Sequence, residues 1–277
     1  MEAQHRVHAV AVADGRMVAE AGDPELVTYF RSSAKPIQAL PLVRARADLD
    51  ESEIAIACAS HLARPDQLDA VRSLLAKAPA SVDELECGPE PTPLEHNCSG
   101  KHAGFLALCR ARGWPSAGYR LPDHPCQHAM LGEIADAAEV DAGAIPVAVD
   151  GCGVSTFALT LERMARSFSR LETLDGGPRV TQAMRAHPEL IRGPLAADTI
   201  LMQTQSGWTA KGGAEGLLCA VSPEGLGLAL KVEDGAQRAV RTGLAAFLGS
   251  LGVDPGELGA VPVENSRREL VGEIRVG

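Results

Sequence analysis

Arg31-Ser32-Ser33-Ala34-Lys35-Pro36-Ile37-Gln38-Ala39-Leu40-Pro41 is the stretch on which the reading of this chain turns. Ile37, Leu40 and Val43 recur at helical spacing, and Pro36 is tolerated only in a first turn, so a helix begins here. Ser32 and Lys35 then stand one turn apart at the helix start, where an amine can reach a hydroxyl and act as its base. A Ser-x-x-Lys also arises by chance as a helix cap beside a solvated lysine, so its meaning depends on the rest of the chain. Downstream, Thr209-Ala210-Lys211-Gly212-Gly213 precedes the apolar run 217–221, which places Lys211 near the end of a strand whose glycines admit a closely approaching substrate.

Outward from these two segments, residues 7–13 carry apolar side chains on both faces and lead through Asp14-Gly15 into a second short run, a hairpin signal. Arg64-Pro65-Asp66 opens a helix with Leu68, Val71, Leu74 and Leu75 on one face and Pro79 as its stop. Residues 125–140 read as a helix and 145–149 as a short buried strand. Asp150-Gly151-Cys152-Gly153 reads as a tight turn before a helix from Ser155 to about Arg170. A partly helical stretch over 171–205 precedes the strand 217–221, the turn Ser222-Pro223-Glu224-Gly225 and a partner strand over 226–232. A helix over 236–251 and a last strand over 270–276 complete the chain, which contains no repeat and no separable linker. Length over residues 1–277 fits one large domain or a core with a subdomain.

Hydrophobic residues at 45% and charged residues at 22% match an ordinary folded protein. A net charge of -10 has the wrong sign for a phosphate backbone, and 3% aromatic residues leave few platforms for stacked bases, so nucleic acid is set aside as a partner. No membrane-length apolar run and no charged-then-apolar leader are present, so no membrane is expected and the expected setting is cytoplasmic. Seven cysteines, an odd number, read as thiols or metal ligands rather than as a disulfide framework. Cys58, Cys87, Cys109, Cys126 and Cys219 fit the role of small buried apolar residues.

Between Cys87 and Gly104 the periodicity breaks, with Pro89, Pro91 and Pro93 before the polar run Glu95-His96-Asn97-Cys98-Ser99-Gly100-Lys101-His102. Such a density of reactive side chains in a loop marks a candidate site. Cys98, His102 and Cys152 are donors that suit zinc, although their spacing matches no standard finger. Ser60-His61 offers a second hydroxyl and, read alone, is a turn. Gly212-Gly213-Ala214-Glu215-Gly216 does not follow the order of a Walker phosphate loop, so nucleotide binding is not expected.

Taken together and in order, several segments resemble the rhizobial-type L-asparaginases, also called class 3 or asparaginase II. They are Gly22-Asp23-Pro24, the stretch from Arg31 to Pro41, Cys58-Ala59-Ser60-His61, the run from His96 to His102, Asp150-Gly151-Cys152-Gly153, Met184-Arg185-Ala186-His187-Pro188-Glu189 and Lys211-Gly212-Gly213-Ala214-Glu215-Gly216. Hydrolases of the penicillin-recognising fold similarly combine Ser-x-x-Lys at a helix start with Lys-Thr-Gly on the adjacent strand. The resemblance runs from near residue 2 to the C-terminus. It implies a serine β-lactamase/glutaminase-like α+β fold, an antiparallel sheet flanked by helices with a helical subdomain, usually as a homodimer. It also implies hydrolysis of the side-chain amide of L-asparagine to L-aspartate and ammonia.

Carried over by motif, the resemblance makes Ser32 with Lys35 and Ser60 with Lys211 two Ser-Lys pairs. Ser32 is the expected nucleophile and Ser60 the alternative. Cys98, Lys101 and Cys152 would hold zinc, replacing His102 of the unaided reading, and Arg31, His102 and Asp150 would lie beside the substrate. A lysine ligand must be neutral, a strong departure from a reference pKa of about 10.4 that a bound dication can supply. Lys231, in Lys231-Val232-Glu233-Asp234-Gly235, competes with Lys211 for the second pair, and the neighbouring glycines favour Lys211. Two departures from the family pattern stand out: Glu2-Ala3-Gln4-His5 resembles a motif that members reach after an earlier strand, and the span from Gly153 to Lys211 is short. Ser-Lys chemistry does not itself choose the acyl group, so an enzyme acting on glutamine or a β-lactam-like amide is the neighbouring alternative. A catalytically silent zinc or amino-acid binding homologue is the alternative from a different class.

Overall fold

Asp14 and Gly15 both take left-handed backbone angles, with φ of 49° and 69°, the combination that suits a two-residue hairpin turn. They join β1 (Val7–Ala13) to β2 (Arg16–Ala21), and β3 (Val27–Tyr29) follows. The computed structural model describes residues 1–89, 91–259 and 261–277. A 3-10 turn over Arg31–Ala34 runs into α1 (Lys35–Gln38), and α2 (Leu40–Ala45), α3 (Glu51–Ala57), α4 (Pro65–Lys77), α5 (Ser99–Arg112) and α6 (Pro125–Ala138) build the helical part. After β4 (Val147–Val149) and β5 (Ser155–Thr160) come α7 (Leu161–Ser169), α8 (Gly177–Ala186), α9 (Pro188–Ile191) and α10 (Ala197–Thr204). The chain closes with β6 (Thr209–Gly212), β7 (Leu217–Val221), β8 (Gly227–Val232), α11 (Val240–Ser250) and the hairpin β9 (Val261–Glu264) and β10 (Leu270–Ile274).

The main sheet is antiparallel in the order β2-β1-β8-β7-β6, so the first hairpin lies beside strands from the far end of the chain. Both faces are covered. Val12 pairs with Gly227, and a Cβ on Gly227 would stand 2.1 Å from the Ala165 carbonyl oxygen, so α7 lies directly on that face. Val7 pairs with Val232 on the opposite face, where a Cβ on Gly243 would stand 3.1 Å from Val7, so α11 covers that side. This double cover explains why β7 and β8 are buried along their whole length and read as continuous apolar runs. The arrangement is α+β, an antiparallel sheet flanked by helices, as expected.

Three local expectations are corrected. Residues 155–160 form a strand and not the start of a helix; the helix begins after Thr160, whose Oγ1 accepts the Arg163 N–H at 3.2 Å as an N-cap. β4 is exposed, with Val149 at 64%, because it forms an edge of the small sheet β3-β5-β4. Ser99 to His102, expected in a loop, are the first turn of α5. Its glycines weaken intrinsic helicity but let the helix touch its neighbours: a Cβ on Gly100 would stand 2.1 Å from the Ile56 carbonyl oxygen of α3.

Candidate active site

The chain enters the site from β3 through Phe30, whose N–H donates to the Phe157 carbonyl at 2.7 Å. Arg31 then adopts a left-handed φ of 49°, costly for a residue with a side chain and typically held by its surroundings. Its N–H donates to Thr156 Oγ1 at 3.2 Å and its Nε to Asp150 Oδ1 at 2.6 Å, so β5 and the turn after β4 hold the strained residue that precedes Ser32. Ser33 is buried and donates to the Lys211 carbonyl at 2.9 Å, joining this turn to β6.

Lys35 is fully buried, and its amine faces the Ala59 carbonyl, Ser60 Oγ at 3.0 Å and Cys98 Sγ at 3.3 Å. A buried amine requires such partners, and all of them come from the segments that leave α3 and enter α5. Lys211, on β6, is also fully buried. Its Nζ donates to the Gly212 carbonyl at 2.5 Å and lies 3.7 Å from Asp198 Oδ2, which itself accepts the Gly212 N–H at 2.7 Å. Burial lowers the Lys211 pKa from 10.5 to about 7; Asp198 opposes that shift, and the charges of Lys35 and Arg192 add to it. Gly213 is small for a reason: a Cβ there would stand 2.9 Å from Ser33 Oγ.

Cys98 immediately precedes α5, Lys101 lies in its first turn, and Cys152 comes from the turn between β4 and β5. All three are buried, and Lys101 Nζ donates to Cys152 Sγ at 3.1 Å. A hydrogen bond from the Cys152 thiol, aided against burial by the Lys35 and Lys101 charges, pulls the Cys98 pKa well below its ordinary value. The Cys152 pKa moves upward because its proton is given to Cys98 and because it is buried. Burial works against the charged form of Lys101, but the neighbouring sulfurs of Cys152 and Cys98 outweigh it and raise its pKa. Among the described residues no group of three or more His, Cys, Asp or Glu side chains is arranged to hold a metal ion. Two sulfurs and an amine nevertheless converge, and this donor set fits a thiophilic dication once the protons leave.

The structure therefore gathers Ser60, Lys35, Cys98, Lys101, Cys152 and Lys211 around one buried region, but with a pairing different from that expected. Lys35 contacts Ser60, while Ser32 is half-buried and has no side-chain hydrogen bond to a described residue. The physical reason is that Lys35 points inward, toward the polar groups its burial demands, and not back along its own short helix. Ser60 has no hydrogen bond to Lys211 either; its N–H donates to the Ile191 carbonyl at 2.8 Å. Arg31 and Asp150 form an ion pair. His102 is fully buried, with Nδ1 2.7 Å from the Tyr119 hydroxyl and Nε2 without a described partner. Burial pushes its pKa well down. Lys231 lies on β8, bonded to the Val232 carbonyl. Asp198 and Arg192, both at the Lys211 end, carry no sequence signal, since an acid in a first helical turn reads as a dipole partner. An open cavity of about 550 Å³ lined by Leu49, Asp50, Arg179, Gln182 and His187 contains none of these groups.

No curated protein matches the sequence. Among solved structures, the chain is similar to Mglu in its native form, at 14% identity over 91% of this chain and 66% of that one, with a TM-score of 0.43. The match thus spans just under two thirds of that relative. A β-lactamase from Mycobacterium bovis matches at 14% identity over 88% of this chain and 94% of that one, TM-score 0.45. A Bacillus glutaminase matches at 14% identity over 90% and 91%, TM-score 0.44. The profile described as L-asparaginase II matches residues 1–276, which leaves almost nothing of the sequence outside it: the chain belongs to the L-asparaginase II family.

Proposed function

We propose that the protein hydrolyses the side-chain amide of L-asparagine to L-aspartate and ammonia through an acyl-serine intermediate. Family membership supports an amidohydrolase, and the observation that carries the chemistry is the buried contact of 3.0 Å between Lys35 Nζ and Ser60 Oγ. In the neutral form a general base needs, the Lys35 amine has two N–H donors and one lone pair. The Ala59 carbonyl and Cys98 sulfur are placed to accept the two protons, and the Ser60 hydroxyl is placed to meet the lone pair.

Ser60 Oγ attacks the amide carbon as its proton passes to Lys35. The C–N bond breaks when the leaving nitrogen receives a proton from Lys211, whose pKa of about 7 lets it hold or release one at neutral pH. Water then attacks the acyl-enzyme, giving one proton to the site, and aspartate leaves as Ser60 regains its hydrogen. Ser32, beside the strained Arg31, orients the amide from the more open side. In a second reading Ser32 itself is the nucleophile, favoured by its half-buried hydroxyl without a described partner.

Cys98, Lys101 and Cys152 would hold the zinc of the family, and when bound the ion supplies a positive centre that keeps both sulfurs as thiolates. The homodimer and the cytoplasmic setting belong to the same proposal; among the described residues no helix is long and apolar enough to cross a membrane. The deciding experiment is ammonia release from L-asparagine, L-glutamine and a β-lactam by wild-type protein, Ser60→Ala and Ser32→Ala. Turnover of asparagine that Ser60→Ala abolishes supports the mechanism. Loss in Ser32→Ala alone supports the second reading, and no ammonia from any amide leaves a silent binding protein.

A further inference from the structure

Arg192 occupies a defined place beside the Ser-Lys cluster. The N–H of Ser60 donates to the carbonyl of Ile191, the residue before it. Gln67, fully buried, accepts from the N–H groups of Leu62 and Arg64 at 2.9 and 3.2 Å, and its Nε2 donates to the Arg192 carbonyl at 2.7 Å. One amide side chain thus clamps the loop after Ser60 to the segment that carries Arg192. At its other end the arginine reaches β6. A Cβ on Gly212 would stand 3.1 Å from Arg192 Nη1 and 3.0 Å from Asp198 Oδ2, so only a glycine leaves the guanidinium room there.

The guanidinium has no ion-pair partner among the described residues, whereas Arg31, Arg64 and Arg185 are held by Asp150, Asp66 and Glu172. Arg192 Nη1 lies beside Gly212, next to Lys211, and the nearby carboxylate, Asp198, is already engaged by Gly212 and Thr199 N–H groups. A permanently charged guanidinium without an ion-pair partner accommodates an anion, and it pairs with a carboxylate through two parallel N–H···O bonds. In asparagine three bonds separate the amide carbon from the α-carboxylate carbon, a span of about 4 Å by standard bond lengths. A group that holds that carboxylate must therefore stand close to the nucleophile, and Arg192 belongs to the segment that the Ile191 carbonyl ties to Ser60.

We propose that Arg192 binds the α-carboxylate of the substrate, making the site selective for amides that carry a free carboxylate close to the scissile bond. The inference rests on the asparaginase reading for the scissile amide and goes beyond it by assigning recognition of the far end of the molecule. The test compares L-asparagine with 3-aminopropanamide, which is asparagine without its carboxylate, in wild-type protein, Arg192→Met and Arg192→Lys. A second measurement is calorimetric titration of the same proteins with L-aspartate.

Wild-type kcat/KM is expected to favour asparagine by roughly 10²-fold or more, since a site built around a polar group rejects analogues lacking it. Arg192→Met is expected to erase that preference mainly through KM for asparagine and to lose aspartate binding, with partial recovery in Arg192→Lys; any change that reaches Lys211 falls on kcat for both amides alike. Equal use of both amides by the wild type, or equal losses on both in Arg192→Met, overturns the proposal. If the wild type releases no ammonia from asparagine, the asparaginase reading fails separately. The titration then decides: aspartate binding that depends on Arg192 upholds the carboxylate site, and its absence, or its persistence in Arg192→Met, overturns it.

Discussion

Replacing Lys211 by methionine removes a charge that the fold holds at a disadvantage, and the effect has a pH signature. Burial brings the Lys211 pKa to about 7 from 10.5, with Asp198 working in the opposite direction and Lys35 and Arg192 with it. A lysine whose folded pKa lies below its unfolded value weakens the fold in full below the folded pKa, and the penalty disappears as pH rises through the unfolded one. Between about pH 7 and about pH 9.5 the folded chain gives up this proton while most unfolded chains keep it, so the lysine alone should add about 3 kcal/mol to stability over that interval. Buried thiols such as Cys58 and Cys219, pushed up by burial, contribute the opposite slope once the unfolded chain ionises. Cys219 is present in both proteins and cancels in the difference, and Cys58, whose pKa the charged Lys211 lowers, cancels where that lysine has lost its proton. Urea unfolding of wild type and Lys211→Met at both pH values is the assay, and the wild-type gain relative to the variant is the quantity read. A difference that does not change with pH refutes the depressed pKa and, with it, the role of Lys211 as a proton donor at neutral pH. In the same variant kcat for asparagine should fall by roughly 10²- to 10⁴-fold, the usual worth of a positioned acid or base.

Gly100→Ala should destabilise the protein by about 3 kcal/mol in urea unfolding, because the new Cβ would meet the Ile56 carbonyl oxygen at 2.1 Å and backbone must move. A midpoint equal to that of the wild type would mean that α5 can shift freely on α3. Metal analysis of purified protein should find zinc that is lost in Cys98→Ser and in Cys152→Ser, together with a lower melting temperature. Unchanged zinc in both variants would refute the assigned sulfurs.

Much of the local structure is legible in short windows. Asp14-Gly15 marks the first hairpin because few other pairs accept two left-handed residues in succession. Pro65 and Pro125 open α4 and α6 because a proline's missing N–H is harmless in a first turn. The hydroxyl-bearing ends of Ser155–Thr160 resemble helix caps, and pairing with both β3 and β4 makes the segment a strand. The first turn of α5 is hidden in the sequence for a similar reason. Gly100 argues against a helix on propensity, and the close approach to α3 that it permits is invisible until the two segments meet.

The site divides along the same line. Turn chemistry and hydrophobic period belong to neighbouring residues, so the helix-start Ser32-x-x-Lys35, the Lys211-Gly212-Gly213 strand end and the Cys98 and Cys152 segments are legible in the sequence, and the antiparallel α+β plan follows from the family resemblance. That Lys35 meets Ser60, 25 residues away, and Cys98, 63 away, in preference to the serine one turn before it, emerges only when the chain is packed. Packing alone decides that Ser33 ties to Lys211 across 178 residues, that Asp198 faces that lysine, and that Arg192 arrives beside both without a described partner. Burial and the sum of neighbouring charges set what an amine, a thiol or a guanidinium can do, and both quantities are fixed only when segments distant along the chain are packed together.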